Sequence, residues 1–226
     1  MMNKKVPIVG ASGMIGSLIL DHCLKSDDVR QVVSLVRRAS EIKHEKLIET
    51  VVSDFLNLEV ISEQFEGVDI VYYCLGVYTG AVDRETFYEL TVSYPKALAQ
   101  ALKAYGSELR FCLLSGAGAD REEKSRMMFA KDKGAIENVL AGMGFSAFHA
   151  FRPSYIYPVE AREEPNFSYR LMRGLYPVFK VLGDKVSIKS TVLAQTMFDI
   201  GLNGSDLEVL ENKQIIEYQR SLKIRE

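Results

Sequence analysis

Gly10, Gly13 and Gly16 recur at three-residue spacing within Ile8-Val9-Gly10-Ala11-Ser12-Gly13-Met14-Ile15-Gly16. An apolar run from Val6 to Val9 leads into them, and Ser17 to Leu24 follows with one apolar stripe. Strand, glycine turn and helix in that order suit a bound pyrophosphate. Gly10 permits the sharp turn, Gly13 lets backbone approach the phosphate, and Gly16 lets the helix pack close to the strand. The amides near Ser12, Met14 and Ile15 then face an anion at the positive end of the helix dipole. A glycine-rich turn that binds nothing is the other reading of this stretch taken alone.

Further candidates follow along the chain. Arg30–Val36 reads as a second strand and ends in Arg37-Arg38, with no acid from 34 to 38. An acid there would hold the ribose 2′-hydroxyl of NAD, whereas arginines suit the 2′-phosphate of NADP; a solvated basic turn is the plainer alternative. Lys46 to Ser53 reads as a third strand and leads into Asp54-Phe55. Asp54 there meets an adenine ring, caps a helix near Asn57 to Phe65, or does both. Val68–Cys74 reads as the fourth strand and runs into Leu75-Gly76, where glycine lets backbone pass close to a cofactor. Leu109–Leu114 reads as the fifth and leads into Ser115. Arg37, Asp54, Gly76 and Ser115 therefore all fall at the carboxyl ends of expected strands, where an open parallel sheet keeps its ligand crevice.

The elements that must hold these residues alternate strand and helix, joined by short glycine-bearing turns. The strands read as continuous apolar runs, which fits a parallel sheet covered on both faces. A helical region over Asp83 to Tyr105 is broken near Pro95, which kinks it or starts a new helix. Arg121 to Gly142 reads as the next helix and Ser146–Phe151 as the sixth strand. After Pro153 the alternation stops. Asn166 to Leu182 is aromatic and amphipathic, a substrate-side lid or core helix, with a membrane-surface helix as the alternative. Val186–Ile188 and Leu207–Leu210 read as short strands around a helix over Thr191 to Leu202, and the last residues read as a polar, loose end. The expectation is a nucleotide-binding core over 1–152 and a substrate-side segment over 153–226 that completes the same domain.

Composition narrows the classes. The 226 residues are 47% hydrophobic with a net charge of -2, enough for one large α/β domain and a poor footprint for nucleic acid. Cys23, Cys74 and Cys112 are odd in number and widely spaced, which fits a reducing cytoplasm better than a disulfide framework. His22, His44 and His149 have no metal-ligand spacing. No run of about 18 apolar residues predicts a transmembrane span, and the apolar stretch after Met1–Lys5 reads as the first strand rather than a leader.

These segments resemble an atypical short-chain dehydrogenase and, more narrowly, the Tat-interacting-protein family of NADPH-binding proteins. The resemblance rests on GASGMIG, LVRR, Asp54-Phe55, YCLG at 73–76, LLSGAGAD at 113–120, KGAIE at 133–137, FRPSYIY at 151–157 and LEVLENKQI at 207–215. It implies a Rossmann-like doubly wound fold that binds NADPH and carries oxidoreductase chemistry. It also implies a serine to polarise a carbonyl, a tyrosine to move the proton and a lysine to hold the ribose and lower the tyrosine pKa. Ser115 matches the serine and Lys133 the lysine, while the tyrosine position, four residues before Lys133, is Phe129. The expected cofactor contacts are Gly10, Ser12, Gly13, Met14, Ile15 and Gly16 on the pyrophosphate, and Arg37 on the 2′-phosphate. Asp54 and Phe55 are expected at the adenine, with Leu75, Gly76 and Lys133 at the ribose and nicotinamide end. Tyr78, Tyr155 or a water are the candidates to replace the missing hydroxyl; the plainer readings are that both tyrosines pack or line the pocket and that Phe129 is simply core on its helix. The partner is a small molecule; a protein partner and a homodimer are what the resemblance also allows, and a non-catalytic NADPH-responsive regulatory or binding module is the alternative function.

Overall fold

The computed structural model describes residues 3–77, 80–159 and 186–222. Its main sheet contains β1 (Lys4–Val9), β2 (Val29–Val36), β3 (Leu47–Val51), β4 (Ile70–Tyr73), β5 (Arg110–Leu114), β6 (Ala147–Arg152) and, late in the chain, β9 (Val209–Glu211). These seven strands lie in the order β3-β2-β1-β4-β5-β6-β9, and every neighbouring pair is parallel. The order reverses between β1 and β4, which opens a crevice at their carboxyl ends. This is the expected Rossmann-like α/β fold.

Side chains alternate between the two faces of each strand, and both faces are dry. Val6, Ile8, Val32 and Tyr72 face α1 (Met14–Lys25) and α5 (Ser190–Asn203). Val9, Val33, Leu35, Val71 and Tyr73 face α3 (Tyr94–Lys103), α4 (Met128–Ala141) and the buried Phe55 and Phe65. That two-sided burial is why the strands read as unbroken apolar runs. Tyr72 carries a polar tip into this core and donates to the Phe198 carbonyl at 2.9 Å, passing over Gly201, where a β-carbon would collide with the ring. Tyr72→Phe is expected to cost about 1 kcal/mol in urea unfolding, the usual value of one buried hydrogen bond.

Several elements differ from the sequence expectation. The helix expected from Arg121 starts only at Met128, because the Asp120 carboxylate accepts from the backbone of Glu122, Lys124 and Ser125 at 3.0, 2.9 and 2.6 Å and winds the chain into a loop. The segment near Asn57 to Phe65 is a 3-10 helix over Glu59–Phe65, with non-helical torsions at Ile61. The region over Asp83 to Tyr105 holds α2 (Arg84–Tyr88), a π-turn over Glu89–Ser93 and α3, with Pro95 in the first turn of α3. Past Pro153, β7 (Tyr155–Tyr157) pairs with β8 (Ser187–Lys189) in a second, two-stranded sheet. The polar end is helical: α6 (Asn212–Leu222) buries Ile215, and Asn212 bonds to the Ser154 amide and the Ser187 carbonyl. The late segment joins the same body, with β9 on β6 and α5 in the core. Asn166 to Leu182 and Tyr78 lie outside the described residues.

Candidate nucleotide and carbonyl site

The glycine turn closes the amino end of α1 onto the sheet. Gly10 has φ +86°, and a β-carbon there would stand 2.7 Å from the Leu75 amide nitrogen, so β1 and the end of β4 pass closely only because residue 10 is glycine. A β-carbon on Gly16 would overlap the Gly10 carbonyl. The Gly13 amide donates back to Gly10 at 2.9 Å. Gly13 is the N-cap of α1, no side chain caps that end, and no acid lies in its first turn. The amides of Met14, Ile15 and Gly16 are thus left to an external acceptor.

Beside this turn lies a cavity of about 720 Å³. Gly10 and Ser12 line it from the turn, Arg37 and Arg38 from the end of β2, and Phe55 and Leu75 from the ends of β3 and β4. The far wall is Thr86, Leu90 and Tyr94, from α2, the π-turn and the start of α3. The rings of Phe55 and Tyr94 stack with centroids 5.3 Å apart. Tyr94 had no strand-end signature and escaped the sequence reading; its position follows from the π-turn, whose register periodicity does not reveal. Burial, and after it Glu89 and Asp54, raises the Tyr94 pKa, while Arg37 lowers it. Asp54 does not line the cavity: its carboxylate accepts from the Leu56 amide at 2.8 Å and closes a turn, and the N-cap of the following 3-10 helix is Leu58. Cavity size, bare helix end and paired arginines fit a dinucleotide.

Leu75 also lines a second, smaller cavity of about 20 Å³ with Gly76, Val77, Ser115 and Lys133. Ser115 is fixed by a backbone bond from its amide to the Phe151 carbonyl at 2.8 Å, which carries the β5–β6 pairing one residue further. The Lys133 stem lies over Gly116, its Cδ and Cε 3.4 Å from where a β-carbon would stand. Gly134, next along α4, lets the helix sit directly on the Asp120 carbonyl. Burial lowers the Lys133 ammonium to a pKa of about 8, with Glu137 pulling the other way.

Glu137 is fully buried and organises the far side of Ser115. Ser115 Oγ donates to Glu137 Oε1 at 2.5 Å, Arg121 Nε to Oε2 at 3.0 Å, and Arg152 to both oxygens at 3.0 and 2.5 Å. Burial pushes the Glu137 carboxyl up, but the hydrogen bonds from Arg152, Ser115 and Arg121 outweigh it and hold the group below its ordinary range. The two arginines run on to Glu208 and Glu211 at 2.6 and 2.9 Å. Because the Ser115 proton goes to Glu137, the serine offers the small cavity lone pairs rather than the O–H expected of a carbonyl-polarising group. Phe129 is half-buried on α4, one turn before Lys133. Tyr155 lies in β7 opposite Ser187 and lines neither cavity. Among the described residues no metal-binding cluster exists and no helix is long and apolar enough to cross a membrane.

Residues 10–151 match a family described as NAD(P)H-binding. A rat protein named Protein HTATIP2 is 28% identical over 219 residues, covering 96% of this chain and 89% of that one. The Aspergillus niger protein named fmp52, mitochondrial, is 28% identical over 94% of this chain and 97% of its own. Among solved structures, Gre2 of Candida albicans in complex with NADPH superposes with a TM-score of 0.70 at 13% identity, covering 92% of this chain and 78% of that one. WbmF of Bordetella bronchiseptica in complex with NAD+ gives 0.68 at 15% identity over 98% and 78%.

Proposed function

The chain belongs to the NAD(P)H-binding family, and on that premise we propose that it is an NADPH-dependent oxidoreductase of the atypical short-chain dehydrogenase type, with Phe129 in place of the usual tyrosine. The observation that carries the reading is that Arg37 and Arg38 line the same cavity as the glycine turn, with no acid to meet a ribose hydroxyl. Gly10, Ser12, Gly13, Met14, Ile15 and Gly16 hold the pyrophosphate, Arg37 the 2′-phosphate, and Phe55 with Tyr94 the adenine side, with Asp54 beside them. Leu75, Gly76 and Lys133 hold the nicotinamide end, Ser115 faces the substrate, and residues 153–226 supply the substrate side. NADPH supplies hydride to a carbonyl carbon when bound. The family's description and the nucleotides bound in the solved neighbours support NAD(P)H chemistry, and the three buried, unpaired cysteines suit a reducing compartment such as the cytoplasm.

The test is titration with NADPH and NADH followed by nicotinamide fluorescence. Arg37→Ala is expected to weaken NADPH binding about tenfold, from loss of a charge-assisted contact of about 1.5 kcal/mol, and to leave NADH within twofold. Equal loss for both nucleotides, or none, overturns the assignment of the 2′-phosphate. A second reading, an NADPH-responsive regulatory or protein-binding module without turnover, is favoured by two observations: Phe129 has no acidic hydroxyl, and the Ser115 O–H is donated to Glu137 rather than to the cavity.

A further inference from the structure

Reduction of a carbonyl needs a proton for the developing alkoxide, and the groups around the small cavity narrow its source. Its described lining residues include two titratable side chains, Tyr73 from β4 and Lys133 from α4. Tyr73 is fully buried and its hydroxyl donates to the Leu90 carbonyl at 2.8 Å, which commits that proton to holding the π-turn. The Ser115 O–H is committed to a hydrogen bond with the Glu137 carboxylate. The Thr91 hydroxyl, the remaining lining O–H, has a pKa far too high to release a proton. Lys133 Nζ, by contrast, has no hydrogen-bond or ion-pair partner among the described residues, although Glu137 lies one turn further along its helix. The cavity, about 20 Å³, is the size of one water or one carbonyl oxygen.

We propose that Lys133 is the general acid of this site, its ammonium giving the proton that the missing tyrosine would give, into the cavity that Ser115 also lines. The inference rests on the oxidoreductase reading above. As the carbonyl carbon takes hydride, its π pair moves to oxygen and forms the new O–H bond with a proton from Nζ. The N–H pair stays on nitrogen as a neutral amine, which solvent reprotonates. The depressed pKa makes Lys133 a stronger acid than an ordinary lysine and sets a ceiling: the acid form is present below about 8 and is lost as pH rises through that value. The charged and titratable groups around Lys133 are Glu137 on its own helix, Tyr73 from β4, and beyond Glu137 the guanidinium groups of Arg121 and Arg152.

Two measurements on the full chain test this. In the first, acetic anhydride labelling across pH with mass spectrometry, with and without NADPH, gives the titration of the Lys133 amine. A midpoint near 8 is expected, and a midpoint above 10, like an ordinary lysine, overturns the proposal. In the second, kcat and KM for NADPH-driven reduction of 4-nitrobenzaldehyde and phenanthrenequinone are followed from pH 6 to 10 in the wild type and in Lys133→Arg. The wild-type kcat is expected to fall tenfold per unit above about 8, and Lys133→Arg to lose about 30-fold in kcat and the limb at that pH with it. A loss confined to the KM for NADPH overturns the acid role and leaves Lys133 a ribose ligand. No turnover by the wild type or by Phe129→Tyr, with the amine titrating near 8, overturns the oxidoreductase reading and the acid role together.

Discussion

Glu137→Ala is expected to lower the unfolding free energy by about 3–5 kcal/mol, the usual consequence of stripping a buried charge cluster of its shared partner. Glu137 is 0% exposed and pairs with two guanidinium groups at once. Without it Arg121 and Arg152 face each other across a void, and Ser115 loses its acceptor. The arginine side chains are 28% and 13% exposed, so water relieves part of the penalty and the lower end of the range is the better expectation. Glu137→Gln keeps volume and acceptor but not charge, and is expected to cost about half as much. Urea unfolding at neutral pH measures both. Because folding depresses the Glu137 pKa, its contribution is complete above the ordinary glutamate range and disappears as pH falls through the folded value. The wild type and the Ala variant should therefore converge in stability on the acid side. A difference that persists unchanged to pH 2 would mean that the charge is not what Glu137 contributes.

How much of this cluster was legible beforehand depends on which residues one reads. The glycine turn and the strands could be read because Gly10 and Gly16 are each required by a local close approach, and because a strand dry on both faces must be apolar throughout. Arg37 and Ser115 could be placed because strand ends share one edge of a parallel sheet, whereas Lys133, on α4, is placed only by the family resemblance. Glu137 left a weaker trace. It occupies the buried face of α4 together with Ala130, Gly134, Ile136 and Leu140, and a carboxylate on such a face requires a cationic partner. Which arginines answer it depends on the loop wound by Asp120 and on the pairing of β6 with β9, contacts that no local pattern encodes. The same holds for Tyr94, brought to the cavity by a π-turn, and for α6, whose single buried apolar residue, Ile215, gives little periodicity to read. Of the two readings of Asp54, the helix cap fails, because its carboxylate closes a turn two residues on and Leu58 is the N-cap.

The position of Phe129 makes the complementary prediction. A hydroxyl added to its ring stands one helical turn before Lys133 on the same face, and Phe129 is only half-buried, so Phe129→Tyr is expected to fold with a stability within about 1 kcal/mol of the wild type. If the rest of the site is set for reduction, the phenol supplies a second acid whose ordinary pKa is about 10, so that it stays protonated above the pH at which Lys133 loses its proton. NADPH-driven reduction of simple carbonyls is then expected to rise about 100-fold at pH 9, where the Lys133 ammonium is largely spent. The alkaline limb should move upward from about 8 towards the tyrosine range. The pair also defines a double-mutant cycle. Lys133→Arg should cost kcat much less in the Phe129→Tyr background than alone, because the proton then has a second source. Equal losses in both backgrounds would show that Lys133 does not act as the acid. No rise in Phe129→Tyr while NADPH still binds would mean that Ser115 and Lys133 are not arranged for reduction, and that the chain reads the nucleotide rather than spends it.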